Sequence, residues 1–136
     1  MNNIIKVAMG ILVDSSGAVL LTSRPAGKVL AGYWEFPGGK IEQDETAIEA
    51  LKRELQEELG VVIDVNRTQF LGEVSHQYPH GLAKLGVIRV DSWSGTITPL
   101  EGQETYWYNL SHELTVAPLL PTATDVIKLL TQNQKG

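Results

Sequence analysis

The chain predicts a mixed β-sheet covered by helices, a fold of the α/β or α+β class. Three observations carry that prediction. Short β-like runs bounded by turn residues recur along the chain, one amphipathic helix interrupts them near the middle, and a second helix closes the sequence. The length of 136 residues fits one domain, residues 1–136, with a core of its own. Hydrophobic residues make up 43% and charged ones 20%, the balance of an ordinary soluble globule, and no repeat, linker or low-complexity tract interrupts it.

Composition also excludes several classes. There is no cysteine, so disulfides, thiolate chemistry and zinc–thiolate sites are unavailable. The apolar start MNNIIKVAMGILVD is too short to span a bilayer and lacks the marks of a secretory signal, so no membrane association and a cytoplasmic location are expected. A net charge of −5 argues against binding a nucleic-acid polymer, which needs a basic footprint. It leaves room for a small polyphosphate, which arrives with cations that neutralise an acidic site.

In chain order, Ile4 to Val13 reads as a long apolar strand ending at the turn Asp14-Ser15-Ser16-Gly17. Ala18 to Ser23 is a second strand, and the two read as a hairpin closed by Arg24 before Pro25. A glycine-punctuated loop leads to Tyr33-Trp34-Glu35-Phe36-Pro37. Val62 to Val65, Thr68 to Ser75, Leu85 to Val90, Thr96 to Leu100 and Glu104 to Tyr108 are further β-like runs, with His76 to Gly81 read as a turn or loop. Leu119-Leu120-Pro121 opens the closing helix, capped by Thr122 or Thr124, burying Val126, Ile127, Leu129 and Leu130 and fraying from Gln132 to Gly136. Trp93 and Trp107 are expected in the core.

The central helix is the most informative element. Thr46 followed three residues later by Glu49 is a capping box, and Gly60 is a stop. Ile48, Leu51, Leu55 and Leu59 form an apolar stripe, with Glu49, Lys52 and Gln56 on the watery side. Glu54, Glu57 and Glu58, at i, i+3 and i+4, share one face at the edge of that stripe. The triplet alone fits either a solvated acidic face or a site for a hard divalent cation that relieves the mutual repulsion.

What precedes the helix separates these readings. Gly38-Gly39 offers backbone that can approach a metal or phosphate closely, and Arg53 can hold a neighbouring carboxylate by a forked hydrogen bond. Gly39, five residues, Glu45, seven residues, then Arg53-Glu54-Leu55-Gln56-Glu57-Glu58-Leu59-Gly60-Val61 fills every position of the Nudix box. The chain resembles the Nudix hydrolases, and the likeness to their MutT branch extends to Trp34-Glu35-Phe36-Pro37-Gly38-Gly39-Lys40 and to Arg24-Pro25 upstream.

The resemblance implies an α/β/α sandwich and the Mg²⁺-dependent hydrolysis of a nucleoside triphosphate to a monophosphate and pyrophosphate, Mn²⁺ being a possible substitute. It implies that Glu54, Glu57, Glu58 and the Gly38 carbonyl hold metal, that Arg53 orients Glu54, and that Glu45 supports the loop end. A further carboxylate is expected from Glu101, because Glu101-Gly102-Gln103 with Trp107 six residues on matches the MutT branch; Glu104 is the second choice. The general base is then Glu54 or Glu101.

Lys40 is a candidate phosphate contact and Arg24 a candidate nucleotide contact, each set against an ordinary surface role. Phe36 and Tyr78 are candidates for stacking on a base, set against packing. His76 and His80 read as exposed turn residues rather than metal ligands. Where the 8-oxoguanine-specific MutT proteins place an asparagine at the start of the last helix, this chain has Ala123, which has no polar group. Strict choice of 8-oxo-dGTP is therefore not implied, and a broader preference or a pyrimidine such as CTP or a modified cytosine nucleotide fits as well. Two other readings remain open: hydrolysis of ADP-ribose or a dinucleoside polyphosphate, and a non-catalytic module that senses a nucleotide.

Overall fold

A computed structural model describes residues 3–135; Met1, Asn2 and the Gly136 end of the tail lie outside the described residues. The elements are β1 (Ile4–Leu12), β2 (Val19–Ser23), β3 (Trp34–Glu35), β4 (Gly38–Lys40), α1 (Ala47–Leu59), β5 (Val62–Ile63), β6 (Thr68–Tyr78), β7 (Gly81–Val90), β8 (Trp93–Ser94), β9 (Thr105–Tyr108) and α2 (Pro121–Lys135), with a 3₁₀ turn at Val65–Arg67. Four strands form a mixed sheet in the order β4-β1-β7-β6, and three form a second sheet, β3-β2-β9. β5 and β8 make a small antiparallel pair. The mixed sheet between helices agrees with the fold expected from the sequence. Among the described residues no helix is long and apolar enough to cross a membrane.

β1 is the spine. It pairs parallel with β7 over nine residues and antiparallel with β4. Its side chains alternate between two cores, as a strand's must. Ala8 and Leu12 join Leu51, Leu55 and Leu59 of α1, while Met9 and Ile11, with Val13 just past the strand, join Ala123, Val126 and Leu130 of α2. Burial on both faces explains the continuous apolar run at the start of the chain. Gly10 lets α1 settle close, since a Cβ there would lie 3.1 Å from a Leu51 methyl.

The capping box of α1 is formed, with Glu49 N–H donating to Thr46 Oγ1 at 3.1 Å and Thr46 N–H to Glu49 Oε1 at 2.8 Å. Gly60 ends the helix in the left-handed conformation, φ 69°. Burying Leu51, Leu55 and Leu59 completely contributes roughly 1.5–3 kcal/mol each. Ile48, placed in the stripe from the sequence, is instead 37% exposed, and Ala50 takes the buried position.

Several local expectations change. β1 and β2 do not pair as a hairpin; beyond the Asp14–Gly17 turn and one bridge, Val13 to Val19, they part into different sheets. His76 to Tyr78 continues β6, so the hairpin turn shrinks to Pro79-His80, and pairing with β7 runs through Tyr78–Gly81. Thr96 to Leu100 is not a strand: Thr98 and Leu100 donate to the Leu59 and Glu58 carbonyls at the end of α1. α2 starts at Pro121, where a missing N–H costs nothing, so Thr122 and Thr124 lie inside it rather than capping it. The helix also continues through Lys135, across most of the tail expected to fray. Trp93 and Trp107 are half-buried and stacked, 6.3 Å between centroids, at the edge of the α1 core.

Candidate active site

α1 decides which acidic side chains face inward. Ala50, Glu54 and Glu58 follow one another at four-residue steps beside the buried stripe, so the two carboxylates are half-buried against the sheet. Glu57, one residue earlier in the turn, points to water with 59% of its side chain exposed. β4 lies against Glu54 so closely that a Cβ on Gly39 would come within 2.6 Å of both carboxyl oxygens. Gly38, at φ +152°, is packed on the Ala8 carbonyl, which any side chain there would strike.

Arg53 organises the carboxylates behind this surface. Its Nε donates to Glu45 Oε2 at 2.8 Å, Nη2 to Glu45 Oε1 at 2.9 Å, and Nη1 to Glu54 Oε1 at 2.9 Å. Nη2 also reaches the Lys40 carbonyl at 3.2 Å. The hydrogen bonds from Arg53 pull the Glu45 carboxyl down to about 2, and Glu45 in turn raises the Arg53 guanidinium above its ordinary value.

A cavity of about 700 Å³ opens beside β4. Gly38, Gly39, Lys40, Glu54, Glu58 and Glu101 line it, and Glu101 comes from the loop before β9. Burial drives the Glu58 carboxyl up to about 9, helped by a hydrogen bond with Glu54 and by the negative charges of Glu54, Glu101 and Glu35. Four carboxyls, those of Glu35, Glu54, Glu58 and Glu101, thus line one cavity. Among the described residues, no group of three His, Asp or Glu side chains is gathered tightly enough to hold a metal ion as it stands. The donor set nonetheless suits a hard cation: acidic oxygens that repel one another, beside glycine backbone with no side chain in the way.

The remaining wall is mixed. Arg24 Nη1 lies 3.4 Å from both Glu35 oxygens, and its Nε donates to the Val29 carbonyl at 2.7 Å. Burial raises the Glu35 carboxyl, opposed by the Arg24 charge. Phe36 lines the cavity although only 2% exposed, so it forms floor rather than a free ring. Tyr78 lines it too, with the His80 ring stacked on it at 5.3 Å.

Of the residues singled out from the sequence, Arg24, Phe36, Gly38, Lys40, Glu54, Glu58, Tyr78 and Glu101 meet around this cavity. Arg53 and Glu45 stand behind it, and Glu57 is on its outer rim side, facing solvent. Glu104 is exposed and off the cavity wall. Ala123 is a correction: it is fully buried in the α2 core and does not line this cavity, because the helix turns its neighbour Thr122 toward it instead. Glu35, Thr122 and Gln103 also line the cavity and were not singled out. Glu35 stands within the Trp34–Lys40 likeness and Gln103 within the matched Glu101-Gly102-Gln103, so both had a signal; Thr122 entered only as a candidate helix cap.

The NUDIX domain family matches residues 5–130. An 8-oxo-dGTP diphosphatase of Proteus vulgaris is 40% identical over 96 residues, covering 71% of this chain and 84% of that protein. A CTP pyrophosphohydrolase of Escherichia coli (strain K12) is 34% identical over 110 residues, 81% and 79% of the two chains. The solution structure of the E. coli ORF135 protein superposes with a TM-score of 0.83 at 30% identity, covering 98% of this chain and 92% of that one. Matched along nearly all its length and similar to enzymes named as diphosphatases and pyrophosphohydrolases, the chain belongs to the NUDIX family of hydrolases.

Proposed function

We propose that the protein hydrolyses nucleoside triphosphates to the monophosphate and pyrophosphate with Mg²⁺, removing unwanted nucleotides from the precursor pool. The observation that carries this is the meeting of Glu54, Glu58 and Glu101 at the Gly38-Gly39 end of one cavity large enough for a nucleotide. In this reading Glu54, Glu57, Glu58, Glu101 and the Gly38 carbonyl hold the cations. Glu57, being exposed, turns inward without breaking a core contact. When bound, the cations neutralise phosphate oxygens and acidify a water molecule.

The chain's own groups do the rest. Arg53 holds Glu54 toward β4, leaving that carboxylate or Glu101 to accept the proton of the attacking water. Lys40 and Arg24 meet phosphate and nucleotide charge. Tyr78, stacked with His80, which also lines the cavity, offers a ring to the base, over the Phe36 floor. Thr122 and the Glu35–Arg24 pair supply the polar groups that read the base edge. A hydroxyl makes fewer contacts to a purine edge than an amide does, which supports a broad or cytosine-leaning preference. That agrees with similarity to a relative named for CTP as well as to relatives named for 8-oxo-dGTP.

A panel of unmodified, oxidised and methylated nucleotides ranked by kcat/KM, with pyrophosphate as the readout, tests the proposal. Pyrophosphate release that requires Mg²⁺ and stops with chelator is expected. Nucleotide binding with no product from any triphosphate would sink it.

A further inference from the structure

Gln103 is the most buried polar side chain of the loop that carries Glu101, 6% exposed. Both ends of its amide are used. Nε2 donates to the main-chain carbonyl of Glu58 at 3.0 Å, and Oε1 accepts the main-chain N–H of Glu101 at 2.9 Å. One side chain therefore ties together the backbones of two residues whose carboxyls share the cavity wall. The Glu58 carbonyl lies in the last turn of α1, where carbonyls have no partner within the helix. Leu100 N–H donates to the same oxygen at 3.0 Å. On the other side the chain is pinned at once: Glu104 N–H donates to Ser23 Oγ, and Ser23 N–H to the Glu104 carbonyl, both at 2.9 Å. Between these anchors Glu101 is 41% exposed at its side chain and, among the described residues, its nearest charged partner is Lys28 Nζ at 4.0 Å. The side chain itself is loosely held; Gln103 holds the backbone that aims it.

We propose that Gln103 is a positioning residue for hydrolysis, setting the distance of the Glu101 carboxylate from Glu58 through its two hydrogen bonds. This rests on the reading above that Glu58 and Glu101 both serve the reaction. The site needs a donor and an acceptor on one short, uncharged stem. Gln103→Met keeps the shape and removes both groups, whereas Gln103→Glu keeps the acceptor for Glu101 and loses the donor to Glu58.

The test is a double-mutant cycle with Glu101→Gln, measuring kcat, KM and Mn²⁺ affinity by titration of the metal-free protein, with thermal melts to establish folding. Gln103→Met is expected to lower kcat and to weaken Mn²⁺ binding, each by about tenfold, while KM stays within about twofold. Gln103→Glu, which turns a charged acceptor toward the Glu58 carbonyl, should lose at least as much activity as Gln103→Met. In the Glu101→Gln background, Gln103→Met should have little further effect. Wild-type turnover and Mn²⁺ affinity in Gln103→Met beside an impaired Glu101→Gln overturn the proposal alone, as do fully additive losses. Wild-type turnover and Mn²⁺ affinity in Glu101→Gln overturn the reading on which it rests. If the Met variant does not fold, Gln103→Glu takes its place in the same cycle.

Discussion

Arg53 and Glu45 meet at two points, Nε on Oε2 at 2.8 Å and Nη2 on Oε1 at 2.9 Å, and the same guanidinium reaches Glu54 at 2.9 Å. One planar group thereby locks the loop before α1 to the helix and fixes a carboxyl on the cavity wall. Glu45 also accepts the Glu42 N–H at 2.9 Å, so the loop cannot shift without losing both contacts.

Lysine cannot reproduce this. Arg53→Lys keeps the charge but not the rigid fork, so Glu54 is no longer held toward β4. Turnover should fall about 100-fold with KM little changed, because geometry rather than binding is lost. The melting temperature should fall by a few degrees, because the part-buried fork that ties Glu45 of the loop to α1 is lost. Steady-state kinetics on the variant decide it; unchanged kcat would remove Arg53 from any orienting role.

Gly39→Ala places a methyl where the Glu54 carboxyl sits. The obstacle is the end of a flexible side chain rather than backbone, so the protein should fold and Glu54 should swing away. Activity is expected to drop by about 100-fold or more. A variant as active as the wild type would mean that Glu54 is not needed where it stands.

Glu57→Gln removes one charge from a side chain that is 59% exposed and whose nearest ion-pair partner among the described residues is Arg53 at 3.7 Å. Stability should stay within about 0.5 kcal/mol of wild type. Turnover should nevertheless be abolished if this oxygen turns inward to a cation. Full activity in Glu57→Gln would exclude it from the metal shell.

Glu58 makes stability depend on pH. Its carboxyl is raised from 4.5 to about 9, first by burial and then by Glu54 and the neighbouring charges. Between those values the folded chain keeps a proton that the unfolded chain releases. The stabilisation from that proton is complete below 4.5 and is lost as the pH climbs to about 9. A cation must displace the same proton, so its affinity should rise across that window. In chelator, the melting temperature should fall from about pH 6 to about pH 9 more steeply for wild type than for Glu58→Gln. Added Mg²⁺ should restore more at the higher pH. Parallel curves for the two proteins would refute the raised carboxyl.

The acidic half of the site was legible in the sequence because its logic is local. The capping box, the four-residue steps and Gly39 sit within one short stretch, and each follows from helix geometry. The other half is assembled across the chain. Glu35 and Thr122 become neighbours of one cavity only because Leu120 N–H bonds the Trp34 carbonyl and Trp34 N–H bonds that of Pro118. No periodicity announces such a crossing. Ala123 shows the same limit: a one-residue turn of α2 decides whether a side chain meets ligand or core. His76 to Tyr78 has the composition of a loop, yet its three pairings with β7, His76 to Ala83, Gln77 to Leu82 and Tyr78 to Gly81, carry it into the ladder.

The bonds between the loop at residues 98–103 and the end of α1 have a mechanical consequence. Thr98, Leu100 and Gln103 together satisfy the Leu59 and Glu58 carbonyls, so this flank moves as one stiff block with the helix. Across the mouth, Lys28, Val29 and Leu30 are exposed, and apart from the long reach of Lys28 to Glu101 their bonds run within their own loop. If the proposed function holds, passage of nucleotide and products falls to that less tied lip, leaving the acidic flank undisturbed between turnovers.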